Sequence, residues 1–257
     1  MHALQAFLLI LLLTYLGQNA LGSEIIKGKK AKKKSLQYMA SVQNNTGHIC
    51  GGFLVSEDFV MTAAHCDAWN PKSVVLGTHN LKKVDKTMRY GIKKKYKHPS
   101  YKNISSGNDI MLLKLSGKAY LDKKKPIKPI QLPTQQINLK ENKSCSVAGW
   151  GAIKTNGSNV DNLQVVDVPI INLNKCKKKW QNYIPANVIC AGGYYKNKGF
   201  CQGDSGGPLV CDKKLAVGVV SFNNKKNCDY PNLPNIYTDI SKFLPWIKGI
   251  LNKKNGI

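Results

Sequence analysis

The sequence predicts an all-β protein of barrel or sandwich architecture, and three observations carry that expectation. Short apolar and β-branched runs recur between Gly, Asn, Pro and Lys punctuation, at residues 52–55 (GFLV), 59–61 (FVM), 73–76 (SVVL), 109–113 (DIMLL), 144–148 (SCSVA) and 215–222 (LAVGVVSF). Such short strands at near-regular spacing read as a closed or stacked antiparallel fold. Helical periodicity is scarce. Finally, eight cysteines follow an apolar leader, as in disulfide-braced domains made for an oxidising compartment.

The leader comes first. Residues 4–16 (LQAFLLILLLTYL) form an apolar run that ends near the small residues Ala20 and Gly22, so 1–22 read as a signal peptide. A membrane anchor needs about 20 apolar residues, and no stretch in the chain is long enough to span a bilayer. The strand runs follow, interrupted at 123–133 by a Lys- and Pro-rich stretch that looks like an exposed connection between two halves. At the end, Ser241 could cap a helix over 242–251, with Phe243, Ile247, Ile250 and Leu251 on one face and Pro245 tolerated in the first turn. A chain of 257 residues with 42% apolar composition can bury a sizeable core in one large or two small domains.

The cysteines stand at 50, 66, 145, 176, 190, 201, 211 and 228, with no CxxC pair. Metal-ligand spacing is absent, no metal or other cofactor is expected, and four bridges are favoured among roughly a hundred possible pairings. Asn-x-Ser/Thr sites at Asn44, Asn103, Asn142 and Asn156 fit the same compartment. Basic residues outnumber acidic ones by 39 to 14, a net charge of +25, and every basic side chain but Arg89 is a lysine. The lysine clusters (29–30, 32–34, 93–95, 123–125, 177–179, 253–254) run the length of the chain. They supply a field that attracts polyanions, sulfated glycosaminoglycans or proteoglycans included, without the base reading of a specific nucleic-acid module.

Three short motifs carry chemistry. Around Ser205 the chain reads CQGDSGGP (201–208), whose glycines let backbone N–H groups approach a substrate carbonyl. A serine in a Gly-rich loop is usually only a turn residue, so it needs partners. His65, in TAAHC (62–66), supplies an imidazole backed by small residues, and Asp109, in NDIMLL (108–113), supplies an acid that could fix the imidazole tautomer if buried.

These motifs, in the order His, Asp, Ser, resemble the chymotrypsin-like serine peptidases from Ile25 to about Leu251, together with IIKG (25–28) and VAGWG (147–151). The resemblance implies two antiparallel six-stranded β-barrels with a C-terminal helix, joined near 120–135, and an active site in the cleft between them. It implies a secreted or granule-stored endopeptidase of an immune cell, with His65, Asp109 and Ser205 as its triad and the amides of Gly203 and Ser205 as its oxyanion hole. The implied bridges are Cys50–Cys66, Cys145–Cys211, Cys176–Cys190 and Cys201–Cys228. Removal of the first 24 residues would free the ammonium of Ile25 to pair with Asp204. The intervening Ser23 and Glu24 are similar to the acidic dipeptide propeptides of granzymes and mast-cell proteases, which implies an activating dipeptidyl peptidase. Serpin-type inhibitors are a possible further partner. The segment from Cys228 to Tyr237 most resembles granzymes A and K.

The chain departs from the tryptic pattern in its specificity pocket, for which the resemblance nominates Gly199, Phe200, Ser221, Phe222, Asn223 and Asn235. Gly199 stands where tryptic members carry an aspartate, so no acid neutralises a substrate cation. Asn223 and Asn235 replace the usual glycines, and Phe200 is expected at the pocket base. Small to medium uncharged residues are therefore expected before the scissile bond. A second class stays open, a cationic polyanion-binding or antimicrobial homologue with little proteolytic activity, although such proteins usually lose a triad residue.

Overall fold

The computed structural model describes residues 26–120, 127–194, 198–224, 227–228 and 233–252. The described residues form thirteen strands. β1 is Lys29–Lys30, β2 Met39–Asn44, β3 Gly47–Ser56, β4 Phe59–Thr62, β5 Ser73–Leu76, β6 Arg89–Lys97 and β7 Met111–Leu115. β8 is Ser144–Gly149, β9 Gln164–Ile171, β10 Val188–Ala191, β11 Pro208–Cys211, β12 Leu215–Phe222 and β13 Asn235–Asp239.

Strands β2 to β7 close an antiparallel barrel in the order β2-β3-β4-β7-β6-β5, with β5 returning to β2. In the second half the order is β9-β10-β13-β12-β11-β8, and β8 pairs back onto β9 to close a second six-stranded barrel. β1 is added outside, with Lys29 opposite Val165. Closure leaves few free sheet edges to template aggregation. β4 is buried along its whole length, and Phe53, Leu54, Met61 and Leu112 have no exposed surface in the first core. The second barrel packs Val147, Val168, Leu209 and Val220 around Tyr237.

All eight cysteines pair, as Cys50–Cys66, Cys145–Cys211, Cys176–Cys190 and Cys201–Cys228. These are the bridges the resemblance implies. On loop-closure entropy, the shortest loop is worth about 3 kcal/mol and the longest about 4 kcal/mol.

The helical elements differ from the sequence expectation. The C-terminal helix spans Leu244–Asn252 and buries Leu244, Ile247 and Ile250. Ser241 does not cap it. Instead, Asp239 caps a preceding 3-10 turn, Ile240–Lys242, and Ser241 donates its N–H and its hydroxyl to the Asp239 carboxylate at 2.9 and 2.7 Å. A carboxylate out-competes a hydroxyl as acceptor, so the serine is consumed as donor. A second helix, Leu173–Lys179, was not expected. The Asn172 side chain caps it by accepting from the N–H groups of Asn174 and Lys175, and three lysines in its last turn suit the helix dipole. Among the described residues no helix is long and apolar enough to cross a membrane. The leader, Ser23, Glu24 and Ile25, and part of the central connection (121–126) lie outside the described residues.

The two barrels are stitched together where the motifs meet. Gly51 N donates to Ser205 O at 2.8 Å, and Thr238 Oγ1 donates to Asp109 O at 2.9 Å. At Gly206, beside Ser205, φ is +81°, and a Cβ there would lie 2.1 Å from Thr62 Oγ1 and 2.6 Å from Gly51 O. Gly206→Ala should therefore cost at least about 3 kcal/mol, combining left-handed strain with overpacking. An unchanged midpoint in urea unfolding would contradict this reading of the inter-barrel seam.

Candidate active site

Asp109 stands just before β7 and is almost fully buried, with 1% of its surface exposed. One carboxylate oxygen accepts from His65 N at 2.9 Å. The other accepts from His65 Nδ1 at 2.8 Å and from the Ser221 hydroxyl at 2.6 Å. The acid thus holds both the backbone and the ring of His65, which sits in a 3-10 turn, Ala64–Trp69, directly after β4. Burial pushes the Asp109 carboxyl up, but the bonds and charge of His65 and the Ser221 hydroxyl outweigh it and hold it below the usual carboxylate range.

Ser205 is partly exposed, and its backbone is tied to the first barrel, which carries His65 and Asp109. Besides the bond from Gly51, its carbonyl lies 3.8 Å from Cys66 Sγ, the neighbour of His65. Gly203 adopts φ +93°, and a Cβ there would lie 2.2 Å from Asn159 Oδ1, so only glycine fits. Its carbonyl accepts from His48 Nε2 at 2.9 Å.

Asp204 has no exposed surface. Its oxygens accept from Gly151 N at 2.8 Å and Cys201 N at 2.9 Å. The VAGWG glycines make the room, since a Cβ at Gly149 would lie 2.1 Å from Asp204 Oδ1 and one at Gly151 2.6 Å from its Cγ. Burial, only partly opposed by the two N–H groups, pushes the Asp204 carboxyl up to about 7. Ile25 lies outside the described residues, but Ile26 is buried beside Ala152, Cys201 and Cys228, next to the Asp204 loop.

The nominated pocket residues fall on three segments, the loop at 199–200, the end of β12 with Asn223 after it, and the start of β13 at Asn235. Gly199 is buried, and the Phe200 ring stands edge-on to Tyr237, 5.2 Å between centroids, among the core side chains of the second barrel. Phe222 turns its ring onto Trp180 at 5.5 Å. Asn223 Nδ2 donates to Phe200 O at 3.2 Å and so ties the first two segments together. Asn235 is fully buried, and neither Nδ2 nor Oδ1 has a hydrogen-bond partner among the described residues. Ser221, nominated for the pocket, spends its hydroxyl on Asp109.

Among the described residues, the one His/Cys/acid cluster compact enough for a cation is Cys50, His65 and Cys66, and both of its sulfurs are tied up in a disulfide. His48 and Thr238, which bond the carbonyls of Gly203 and Asp109, were not singled out by sequence. Their local sequence carries no signal, because their partners lie far away in the chain.

A family model described as Trypsin matches residues 25–247. The chain belongs to the trypsin family. Duodenase-1 of Bos taurus is 42% identical over 250 residues, covering 96% of this chain and 96% of that protein. Granzyme B of Rattus norvegicus is 40% identical over 253 residues, covering 96% of this chain and 99% of that protein. The solved structure of neuropsin, a serine protease expressed in the limbic system of mouse brain, superposes with a TM-score of 0.79 at 33% identity, covering 88% of this chain and 99% of neuropsin. As a trypsin-family member with granzyme-like relatives, the protein is a serine endopeptidase acting on protein substrates. The segment that suggested granzymes A and K includes 229–232, outside the described residues.

Proposed function

We propose that Ser205, His65 and Asp109 form the triad of this endopeptidase. Ser205 Oγ attacks the scissile carbonyl while His65 Nε2 takes its proton, and the N–H groups of Gly203 and Ser205 receive the oxyanion. His65 then returns the proton to the leaving amine, and water resolves the acyl-enzyme by the same route. The observation that carries this reading is the three-point grip of Asp109 on His65 and Ser221, at 2.6 to 2.9 Å, beside the Ser205 backbone. The test is covalent labelling. Mature protein beginning at Ile25 should react with a fluorophosphonate at Ser205, and Ser205→Ala should not; labelling of the alanine variant would sink the assignment.

Residues 1–22 are a signal peptide on this reading, 23–24 an activation dipeptide removed by a dipeptidyl peptidase, and 25–257 the peptidase domain. The product is secreted or stored in a secretory granule of an immune cell, where serpin-type inhibitors could meet it. The exposed sites Asn103, Asn142 and Asn156 can carry glycans. Sulfated glycosaminoglycans are the expected polyanionic partners. What supports them is a lysine excess that survives the surface ion pairs, such as those of Lys82 with Asp161 and of Lys95 and Lys97 with Asp67. Heparin retention should fall steeply with salt. Retention in Ser205→Ala, with no peptide cut by the wild type, would favour the polyanion-binding alternative.

For specificity we propose small to medium uncharged residues before the scissile bond, such as Ala, Val, Leu or Met. No acid stands at Gly199 to pair with a buried cation. The bond from Asn223 to Phe200 O crosses between the pocket segments and obstructs long side chains. Gly199→Asp should raise Lys/Arg cleavage only about tenfold or less. A peptide-library profile led by Lys or Arg would refute the electrostatic step, and one led by Phe or Tyr the steric step.

A further inference from the structure

The carbonyl of Gly203 is the end point of a hydrogen-bond chain that begins at Arg89 on β6 of the first barrel. Arg89 Nη1, at the start of β6, donates to Gln43 Oε1 at 2.9 Å and also to Ser73 Oγ at 2.7 Å. Gln43 Nε2 donates to Ser41 Oγ at 3.0 Å. Ser41 Oγ meets His48 Nδ1 at 2.8 Å, and His48 Nε2 meets Gly203 O at 2.9 Å. Ser41 and Gln43 are buried polar residues of β2, with 0% and 6% exposure.

The direction of every link is fixed from the two ends. A guanidinium can only donate, so Gln43 must present its oxygen to Arg89 and its NH2 to Ser41. A carbonyl can only accept, so His48 must carry its proton on Nε2. In a neutral ring Nδ1 is then bare, and the Ser41 hydroxyl has to donate to it. Burial pushes the His48 pKa down to about 4, which keeps the ring neutral at working pH. The chain is therefore one-way, and each link polarises the next.

Gly203 needs such outside support. With φ +93° it has the widest conformational freedom of any residue type, and its neighbouring peptide planes are held by contacts from elsewhere. Ala152 N pins Gln202 O at 2.7 Å, Asp204 N meets Cys201 O at 3.1 Å, and His48 pins Gly203 O. We propose that Gln43 and Arg89, the one arginine of the chain, are positioning residues that act through Ser41 and His48 to hold the Gly203–Asp204 peptide, the unit directly after the Gly203 N–H, and so fix the backbone of Gly203 with that N–H in its oxyanion-binding orientation. This rests on the assignment of Gly203 as an oxyanion donor. The arginine is suited to the role because one rigid, permanently charged fork serves Ser73 and Gln43 together, which a lysine ammonium on a flexible stem does less well.

The test uses the mature protein and a small fluorophosphonate, whose reaction at Ser205 is separated into a maximal rate, kinact, and a half-saturation constant, KI. It is paired with 15N NMR of the histidine rings at pH 8. Gln43→Leu should lower kinact about fivefold with KI unchanged, and Arg89→Leu about twofold to threefold. Arg89→Lys should recover most of that loss. Gln43→Glu decides between relay and packing. It keeps the shape and the bond from Arg89, but a carboxylate cannot donate to Ser41 and captures the serine proton instead. His48 should then move its own proton to Nδ1, visible in its nitrogen shifts, and kinact should fall at least as far as in Gln43→Leu. Wild-type kinact in Gln43→Glu, or an unchanged Nε2–H form of His48 in that variant, overturns the relay. If the wild type does not react with the probe at all, the triad assignment fails instead. The His48 proton position in Gln43→Glu still decides the relay.

Discussion

Alanine in place of His65 is expected to lower kcat about 10⁶-fold, and asparagine in place of Asp109 about 10⁴-fold, both with KM little changed. The second loss follows from the donor count at Asp109, whose two oxygens receive His65 N–H, His65 Nδ1–H and the Ser221 hydroxyl. Asparagine has one accepting atom. If that atom keeps the His65 backbone, the NH2 faces Nδ1 and the ring must turn its lone pair inward. Nε2 then carries the proton and cannot receive one from Ser205. The depressed pKa of Asp109 sets the pH range. Its ionised form is favoured in the fold, so the stability it contributes is present above the ordinary carboxylate pKa and fades as pH falls through the lower, folded value. Steady-state kinetics on any cleaved peptide measures both losses, and Asp109→Asn at more than a tenth of wild-type kcat would show that the acid does not set the tautomer.

How much of this was legible in the sequence depended on how locally each feature is encoded. The runs at 59–61, 73–76, 144–148 and 215–222 all fall within strands because period-2 or continuously apolar stretches have few other ways to bury themselves. β6 read as a lysine cluster, since its residues largely face solvent and only Ile92, Tyr90 and Tyr96 show the alternation of a strand. The helix at 173–179 was hidden for a related reason. It is seven residues long and lysine-rich, and it is held by contacts that its own pattern does not announce, such as the Asn172 cap and the Cys176 bridge. Cysteine pairing could not be derived from spacing and came from the resemblance alone. At the site, motif residues were visible, whereas their supports were not. Nothing near His48 in sequence announces a bond to a carbonyl 155 residues away. Likewise Phe200 reads as pocket bulk until the ring of Tyr237 is seen to draw it into the core.

The Asp204→Asn exchange is expected to act in opposite directions before and after loss of the first 24 residues. Burial raises the Asp204 carboxyl to about 7, so in a chain that lacks a free ammonium beside it the protonated form prevails below about pH 7 and a buried, unpaired charge appears above it. With the folded pKa above the unfolded one, the stability contributed is complete below pH about 4 and is lost as pH rises through about 7, a loss of about 4 kcal/mol for a shift of about 3 units. A precursor retaining Ser23 and Glu24 should therefore unfold more easily in urea at pH 8 than at pH 5. Asp204→Asn removes the charge, keeps one acceptor for Gly151 N or Cys201 N and leaves the other N–H unpaired at a cost of about 1–3 kcal/mol, so it should stabilise the precursor at pH 8 by about 1–3 kcal/mol net. On the proposed activation, the ammonium of Ile25 in the mature chain would supply the missing positive charge, hold Asp204 ionised and order the Gly203 loop beside it. There asparagine leaves that ammonium buried without a partner. The expected result is a lower unfolding midpoint and fluorophosphonate labelling slower by about 10²-fold to 10³-fold, the scale of losing an oxyanion donor. Equal destabilisation of precursor and mature forms, or a precursor whose stability does not change between pH 5 and 8, would rule out Asp204 as the partner of the new N-terminus.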